Sequence, residues 1–455
     1  MQREKFSSRL GFILISAGCA IGLGNVYRFP IMAGSYGGAL FVLIYIAFLL
    51  LLGLPIMTME LAVGRGSQRS IASSFDVLEK KGQKWHWFKY FGMAGNYLLM
   101  MFYTTISGWM LIYFVKYLNV SIMQFKTAEE LGGVFGSIVA DPLILVIAAL
   151  VVIVSCFGIC SLGLQKGVEK ITKGMMIALL VLMVGLAVYS CTLSNAAEGL
   201  KFYLIPTTDG IREHGIWTVI SAAMGQSFFT LSIGIGSIAI FGSYISKDRS
   251  LSGEALTILS LDTFVALVSG LIIFPACFTY NGGVTADAST VGASFLFTTL
   301  SSIFNAMPAG RIIGMLFFIF MAFAALSTVI AVFENIVSFW LELTKLSRRK
   351  IAIINILLMT VLSLPCIFGF NIWESVTIFG KGIMDLEDFT VSNVLLPLGS
   401  LVYVLFCTTR YGWGWNKYFA EVNEGKGMKL PKWLKPYVSY VLPVVIIAVF
   451  IMSII

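Results

Sequence analysis

Residues 16–25 read Ser-Ala-Gly-Cys-Ala-Ile-Gly-Leu-Gly-Asn and interrupt an apolar stretch that extends from residue 9 to residue 34. Three glycines so close together are unfavourable in a helix, because each costs about 1 kcal/mol relative to alanine in a helix interior. Residues 225–237 read Gly-Gln-Ser-Phe-Phe-Thr-Leu-Ser-Ile-Gly-Ile-Gly-Ser and have the same character within a second apolar stretch, 216–245. Both stretches are therefore predicted to be helices that break near their middle.

Apolar composition extends over the whole chain. The 455 residues are 58% hydrophobic and 12% charged, whereas soluble proteins carry roughly 25% charged residues. An apolar run of about 18 residues or more is long enough to cross a lipid bilayer. The sequence thus predicts an all-α membrane protein with eleven transmembrane helices, at 9–34, 38–64, 90–118, 142–162, 167–193, 216–245, 254–279, 310–343, 351–369, 388–409 and 433–454.

The two interrupted spans are the first and the sixth, five helices apart. One such span could reflect close helix packing through small residues, which is common in membranes. Unwound backbone at membrane depth must otherwise be buried in protein or line a watery cavity. A matching pair of interrupted spans indicates a transporter built from two inverted repeats. We expect helices 1–5 in residues 1–200, helices 6–10 in 201–410, and a cytoplasmic loop with helix 11 in 411–455.

Lysine and arginine are distributed very unevenly between the two sides of the membrane. The N-terminal tail and the loops after spans 2, 4, 6, 8 and 10 hold 24 of the 31 basic residues. Because basic residues accumulate in cytoplasmic loops, we expect a multi-pass protein of the cell membrane with a cytoplasmic N-terminus and an extracellular C-terminus. This bias explains the net charge of +8 without a nucleic-acid partner. The sequence does not determine the oligomeric state.

Motifs for catalysis or nucleotide binding are absent from the sequence. The two histidines, His86 and His214, fall in predicted loops, and no phosphate-binding glycine loop or metal-ligand spacing occurs. An enzyme is therefore not expected, and the energy for transport should come from an ion gradient. Two alternatives stay open at this point: a proton-coupled transporter that uses Asp262 or Glu60, and a membrane sensor that binds amino acids without moving them.

Three motifs carry a resemblance to a known family. Residues 18–30, Gly-Cys-Ala-Ile-Gly-Leu-Gly-Asn-Val-Tyr-Arg-Phe-Pro, resemble the first-helix signature of the neurotransmitter:sodium symporters. Residues 53–65 resemble the second-helix motif of that family, and residues 225–232 resemble its sixth. The resemblance covers nearly the whole chain and is closest to bacterial amino-acid transporters. It implies sodium-coupled import of an amino acid by alternating access around paired broken helices, which is this family's established arrangement.

The resemblance also implies two sodium sites. Sodium prefers oxygen ligands, and unwound carbonyls can supply them. The first ion is expected to bind the substrate carboxylate together with the carbonyl of Ala20 and the side chains of Asn25, Thr230 and Asp262. The second is expected to bind the carbonyls of Gly18, Ile21 and Ala324 and the hydroxyls of Ser327 and Thr328.

Asp262 departs from the family pattern, since many relatives carry asparagine at this place. Chloride-dependent members also have a serine one turn later, where this chain has Ala266. A carboxylate within the membrane is costly and usually functional. We therefore expect Asp262 to supply the negative charge that bound chloride supplies elsewhere, so that transport is independent of chloride. The alternative is a structural carboxylate that bonds to neighbouring hydroxyls.

The resemblance further implies how the substrate is bound. The amides of Leu23 and Gly24 and the hydroxyl of Tyr103 are expected to bind the substrate carboxylate. Gly22 replaces the aspartate that pairs with amines in monoamine transporters, which favours an amino acid. The ammonium group is expected to bind the carbonyls of Ala20, Phe229 and Thr230 and the hydroxyl of Ser232.

The expected side-chain subsite is apolar and uncharged, which excludes acidic and basic amino acids because an unpaired buried charge is costly. An aromatic or bulky apolar substrate is favoured, with tyrosine as the leading candidate, although the lining does not separate tyrosine from leucine. Its expected residues are Leu99, Phe229, Ile235, Thr328, Val329 and Val332, with Cys19 nearby.

Charged residues near the ends of the spans suggest two gates. Arg28 and Asp388 are expected to form the outer gate, with Gln226 beside them. Arg3 and Glu342 are expected to form the cytoplasmic gate, with Tyr244 beneath. Glu60, also within a span, is expected to accept hydrogen bonds from unwound backbone of the broken helices. No proline occurs in helix 5, so inward opening should use either Gly174 or release of the N-terminal tail.

Overall fold

The computed structural model describes residues 4–283 and 294–454, and every structural statement below refers to these residues. Long helices dominate this part of the chain. These helices, together with the single turn α6b, are α1a (Arg9–Ala20), α1b (Gly24–Ser35), α2 (Ala39–Ser67), α3 (Trp85–Leu118), α4 (Pro142–Ser161), α5 (Leu164–Cys191), α6a (Ile216–Leu231), α6b (Ala239–Gly242), α7 (Leu251–Asn281), α8 (Gly310–Leu343), α9 (Arg348–Phe368), α10 (Ile383–Thr408) and α11 (Leu434–Ile454).

Nine of these described helices are long and apolar enough to cross a membrane, and a tenth span is made by α1a and α1b together. The helix pair is bent by 57° at its break. The predicted span at 216–245 corresponds to the shorter helix α6a, of 16 residues, followed by an unwound segment and the single turn α6b. The all-helical membrane fold is confirmed, while the count of eleven spans stays a prediction.

The break in the first span begins directly after α1a. Ile21 leaves the helical region with ψ of 99°, and the chain resumes at Gly24 as a π-helical turn. The backbone N–H of Gly22 donates to the side chain of Asn25 at 3.1 Å, so the break is held partly by its own residues.

The break in the sixth span lies between α6a and α6b. Three of its residues have positive φ: Ser232 at 50°, Gly234 at 104° and Gly236 at 80°. Glycine is required at position 234, because a Cβ there would lie 2.3 Å from the carbonyl oxygen of Leu396. Left-handed backbone and close contact with α10 together end the helix.

Glu60 on α2 holds the unwound segment of the sixth span. Its two carboxylate oxygens accept the backbone N–H groups of Gly234 and Ile238, the latter at 3.3 Å. These N–H groups lie at membrane depth, where an unpaired backbone group costs several kcal/mol. The prediction that Glu60 binds unwound backbone is therefore confirmed for the sixth span.

The centre of the molecule is α8, which packs against α1a, α3, α4, α5 and α9. Small residues allow close approach at these contacts. A Cβ on Gly18 of α1a would lie 3.3 Å from the Cβ of Ser327, and one on Gly314 would lie 2.2 Å from the ring of Tyr117. This packing brings the middle of α8 against the break in the first span.

Candidate functional site

A small closed cavity lies between the two breaks, and predicted substrate residues line most of it. Its volume is about 10 Å³, which is room for about one water molecule. Leu396 at the start of the second half of α10 is the one lining residue that the sequence analysis missed. The lining comprises Ala20, Gly22, Gly24, Leu99, Tyr103, Phe229, Thr230, Ser232 and Leu396.

Tyr103 on α3 connects the cavity to the break in the first span. Its hydroxyl accepts the backbone N–H of Leu23 at 2.8 Å. A Cβ on Gly22 would lie 2.1 Å from this hydroxyl oxygen and 2.6 Å from the hydroxyl oxygen of Thr328. Any side chain at position 22 would therefore occupy the space between the two hydroxyl groups.

The remaining predicted substrate residues lie at the edge of the cavity or beyond it. Ile235 packs on α3, with its side chain against Gly95 and its carbonyl accepting from Asn96 at 2.8 Å. Val332 is fully buried in α8, one turn after Thr328. Of the twelve predicted substrate residues, eight line the cavity, and a ninth, Leu23, is bonded to the lining residue Tyr103. Thr328 lies beside Gly22.

The four residues predicted for the first sodium site meet between α1, α6a and α7. Asn25 donates to Asp262, at 2.8 Å to Oδ1 and 3.1 Å to the carbonyl oxygen. The other carboxylate oxygen of Asp262 and the hydroxyl of Thr230 are buried and have no hydrogen-bond partner within the described chain. Buried oxygens without partners are unfavourable, and a bound cation would satisfy them.

The residues predicted for the second sodium site meet where α8 faces the break in the first span. The hydroxyl of Thr328 donates to the carbonyls of Gly18 at 3.1 Å and Ile21 at 3.2 Å. The hydroxyl of Ser327 donates to the carbonyl of Ala324 at 2.9 Å. Five oxygen-bearing groups therefore converge at this point, and their chemistry fits a sodium ion.

The residues predicted for the outer gate lie close together. The guanidinium of Arg28 is 3.7 Å from Asp388, and Ser392 links the two, since it accepts from Arg28 at 3.4 Å and donates to Asp388 at 2.8 Å. The same guanidinium lies 4.3 Å above the ring of Phe229. Gln226 donates to the carbonyl of Gly24 at 2.8 Å.

A vestibule of about 560 Å³ opens outside this gate. Its wall includes Arg28, Gln226 and Ser392 and extends to Val449 and Ser453 of α11. The ring of Phe229 and the guanidinium above it lie between the vestibule and the small cavity. The cavity is therefore closed toward this side.

The contacts around Tyr244 differ in part from the predicted cytoplasmic gate. The hydroxyl of Tyr244 donates to the carboxylate of Glu334 at 2.7 Å. Glu334 also forms a bidentate ion pair with Arg348, with distances of 2.7 and 2.8 Å. Arg348 also lies 3.6 Å from Glu4. Sequence reasoning missed Arg348, because it appeared as one more basic residue of a cytoplasmic loop.

The predicted Arg3–Glu342 pair cannot be compared in full, since Arg3 lies outside the described residues. Glu342 accepts the backbone N–H of Ser70 at 2.7 Å and the hydroxyl of Ser73 at 2.6 Å. It therefore binds the loop after α2 at the C-terminal end of α8. Together with Tyr244 and Glu334, these contacts close the second side of the molecule.

The N-terminal segment is bonded to the start of α5. Glu4 accepts the backbone N–H of Leu164 at 2.7 Å. In return, Glu169 on the π-helical first turn of α5 accepts the N–H of Ser7 at 2.9 Å and its hydroxyl at 2.6 Å. Each segment thus accepts hydrogen bonds from the other, and these bonds join the N-terminal segment to the start of α5.

A closed central cavity between two broken helices is the arrangement found in secondary transporters. Comparisons with known proteins agree with this class. Residues 3–129 and 137–455 match the sodium:neurotransmitter symporter family. The chain therefore belongs to that family, which consists of transporters rather than enzymes.

The relatives extend over nearly the whole chain. YhdH, an uncharacterized sodium-dependent transporter of Bacillus subtilis, is 33% identical and covers 92% of this chain and 90% of its own length. An uncharacterized sodium-dependent transporter of Haemophilus influenzae is 28% identical and covers 99% of this chain and 98% of its own. The protein is accordingly a multi-pass membrane symporter that depends on sodium.

The crystal structure of MhsT in complex with L-phenylalanine has the same fold. It matches with a TM-score of 0.87 and 34% sequence identity and covers 99% of this chain and 100% of that chain.

Proposed function

We propose that this protein imports an amino acid with an aromatic or large apolar side chain, tyrosine being the leading candidate, together with two sodium ions and without chloride. The observation that carries the proposal is the geometry at the first break. A carboxylate-binding pair, formed by the Leu23 N–H and the Tyr103 hydroxyl, lies beside the cation ligands Asn25 and Asp262. A binding site for an anion directly beside a binding site for a cation suits the carboxylate of an amino acid and a sodium ion.

Recognition of the substrate carboxylate rests on the first break. The N–H of Leu23 already donates to Tyr103, so a carboxylate can take that N–H while the tyrosine hydroxyl turns to donate to it. The half-helix α1b adds positive partial charge at its N-terminus, close to Gly24. The substrate ammonium would donate hydrogen bonds to the carbonyls of Ala20, Phe229 and Thr230 and to the hydroxyl of Ser232.

Selection of the side chain rests on the apolar wall. Leu99, Phe229 and Leu396 line the cavity without a charged group among its lining residues. An acidic or basic side chain would therefore lose its hydration without gaining a partner. The crystal structure of MhsT contains L-phenylalanine, and this supports an aromatic substrate for the present protein as well.

Sodium coupling follows from shared ligands. The substrate carboxylate completes the first ion site, so ion and substrate stabilise each other there. The second ion joins α1a, through Gly18 and Ile21, to Ser327 and Thr328 of α8. We propose that its release loosens α1a from α8 and so permits inward opening.

Chloride independence rests on Asp262. This carboxylate is fully buried, and one of its oxygens has no hydrogen-bond partner within the described chain. Its charge can therefore balance the first sodium ion directly. The alternative was a structural carboxylate that bonds to neighbouring hydroxyls. The bonded oxygen of Asp262 accepts instead from the side-chain amide of Asn25, which does not support that alternative.

Alternating access would exchange the two gates. Arg28 with Asp388 would open toward the outside, and the Tyr244, Glu334 and Arg348 cluster would open toward the cytoplasm. We propose that helices 1–5 and 6–10 form the two repeats, with α11 as an addition. The distribution of basic residues supports a cytoplasmic N-terminus and an extracellular C-terminus.

Equilibrium binding to the purified protein tests this proposal. Labelled tyrosine should bind in sodium chloride and equally in sodium gluconate, and binding should be lost in choline chloride. Unlabelled phenylalanine and tryptophan should compete, whereas glutamate, lysine and dopamine should not. Binding in choline would contradict sodium coupling. Competition by dopamine would contradict the amino-acid site, and competition by leucine alone would replace the aromatic substrate with an aliphatic one.

A further inference from the structure

A lateral cavity of about 640 Å³ lies far from the substrate site, between the end of α3 and the start of α8. Its wall is largely apolar. Two wall residues are large apolar side chains that are about half exposed, Leu118 at 49% and Ile312 at 54%. The wall comprises Leu118, Met123, Lys126, Asn305, Met307, Ala309, Gly310, Arg311, Ile312 and Met315.

Two basic side chains, those of Lys126 and Arg311, form part of the cavity wall. They lie on the side of the membrane whose loops are poor in lysine and arginine. The amine of Lys126 donates to the carbonyl of Asn305 at 3.0 Å, and the guanidinium of Arg311 donates to the carbonyl of Leu118 at 2.7 Å. Neither forms an ion pair within the described residues. The carboxylate of Glu130 is engaged instead by the backbone N–H groups of Lys126 and Thr127.

We infer that this lateral cavity binds an anionic phospholipid of the surrounding bilayer. The ends of α3 and α8 mark the boundary between the hydrocarbon and the headgroups, which is where a lipid phosphate lies. Lys126 and Arg311 offer positive charge at that level, and the phosphate would take the donors that now bond to backbone carbonyls. An acyl chain would lie against Leu118, Ile312 and Met315.

The cavity chemistry favours a lipid over a free phosphate. Exposed apolar side chains beside a pair of cations match a molecule that has an anionic head and an apolar tail. Each basic residue near a membrane surface strengthens attraction to anionic lipid roughly fivefold. The two cations together should therefore favour phosphatidylglycerol over phosphatidylcholine on the order of 30-fold.

Native mass spectrometry of the purified protein tests this inference. Dioleoyl phosphatidylglycerol and dioleoyl phosphatidylcholine are titrated separately, and the number of bound lipids and their affinities are measured. The test variant is Lys126→Gln with Arg311→Gln. The control variant is Lys201→Gln with Arg212→Gln, which removes two exposed positive charges from the same side but away from the cavity. Unfolding temperatures show that each variant is folded.

The expected result is one phosphatidylglycerol held on the order of 30-fold more tightly than phosphatidylcholine by the wild type and by the control variant, with this preference lost in the test variant. Equal loss in both variants would contradict a specific site, and unchanged preference in the test variant would too. Full displacement of the lipid by soluble glycerol 3-phosphate would show a free phosphate site only. A dimer that depends on Lys126 and Arg311 and retains no lipid would identify a second copy as the occupant, which would also overturn the inference.

Discussion

Gly22 lies between the hydroxyl groups of Tyr103 and Thr328, and the space there admits no more than a hydrogen atom. Changing Gly22→Ala places a methyl group 2.1 Å from the tyrosine oxygen. Because overpacking of a tight site costs about 1–3 kcal/mol, tyrosine affinity should fall about 5- to 150-fold, as measured by equilibrium binding. Gly185→Ala on α5 is the matched control, since a Cβ there meets nothing within 4 Å. Unchanged affinity in Gly22→Ala would mean that the substrate binds elsewhere.

Asn25 bonds to Asp262 and to the backbone of Gly22, so it belongs both to the proposed first ion site and to the break. We predict that Asn25→Ala weakens sodium and tyrosine binding together, each by about 10- to 100-fold, since a hydrogen bond to a charged group contributes about 1.5–3 kcal/mol. Calorimetric titration of each ligand measures this. Asn355→Ala, at a buried asparagine of α9, should leave both affinities intact. Loss of one affinity alone would contradict a shared site.

Asp262 supplies the charge that makes chloride unnecessary in this account. Uptake in the presence of sodium should therefore be the same in chloride and in gluconate. Asp262→Asn removes the charge while keeping the size of the side chain, and we predict that it lowers uptake at least tenfold in gluconate. The comparison of both anions, with sodium held constant, checks both statements. Wild-type uptake that fails without chloride would show that this carboxylate has another role.

At the scale of elements, the breaks in the first and sixth spans could be predicted because glycine clusters report backbone geometry directly. The role of Glu60 could also be predicted, because a carboxylate in an apolar helix requires donors and broken helices offer them. The contribution of Leu396 could not be predicted, since it depends on the contact of α10 with Gly234. The Glu334–Arg348 pair was missed for a similar reason: the two residues are 14 positions apart and meet only when α9 turns back on α8.

The first turn of α5 and the N-terminal segment support each other through Glu4 and Glu169. Glu169→Gln keeps the shape but replaces charge-assisted hydrogen bonds from Ser7 with weaker neutral ones. We predict that local opening of residues 4–8 and 164–170 increases about 5- to 30-fold, which corresponds to about 1–2 kcal/mol. Hydrogen exchange of these segments measures the change.

Glu374→Gln, in an exposed loop on the opposite side, is the charge-matched control for that experiment. It should leave the exchange of both segments unchanged. If Glu169→Gln also left it unchanged, the N-terminal segment would not be held by this carboxylate, and inward opening would instead have to begin at Gly174.

At the scale of the whole molecule, the packed helices enclose a central cavity of about 10 Å³. This space is too small for an amino acid, so binding of the proposed substrate requires the surrounding helices to separate. The sequence could predict that oxygen-bearing residues of these elements lie together at the breaks, because the motifs preserve their spacing; their binding of sodium stays a prediction. It could not predict the closed arrangement, since that depends on contacts between distant residues such as Arg28 above Phe229.

We propose that a sodium gradient drives accumulation of an amino acid by this protein. Uptake of labelled tyrosine into proteoliposomes with an inward sodium gradient, compared with uptake with choline in place of sodium, tests this directly. Leucine, tryptophan and dopamine serve as competitors. We expect accumulation in sodium alone, blocked by tryptophan and unaffected by dopamine. Equal accumulation in choline would rule out sodium coupling and would indicate a proton gradient instead.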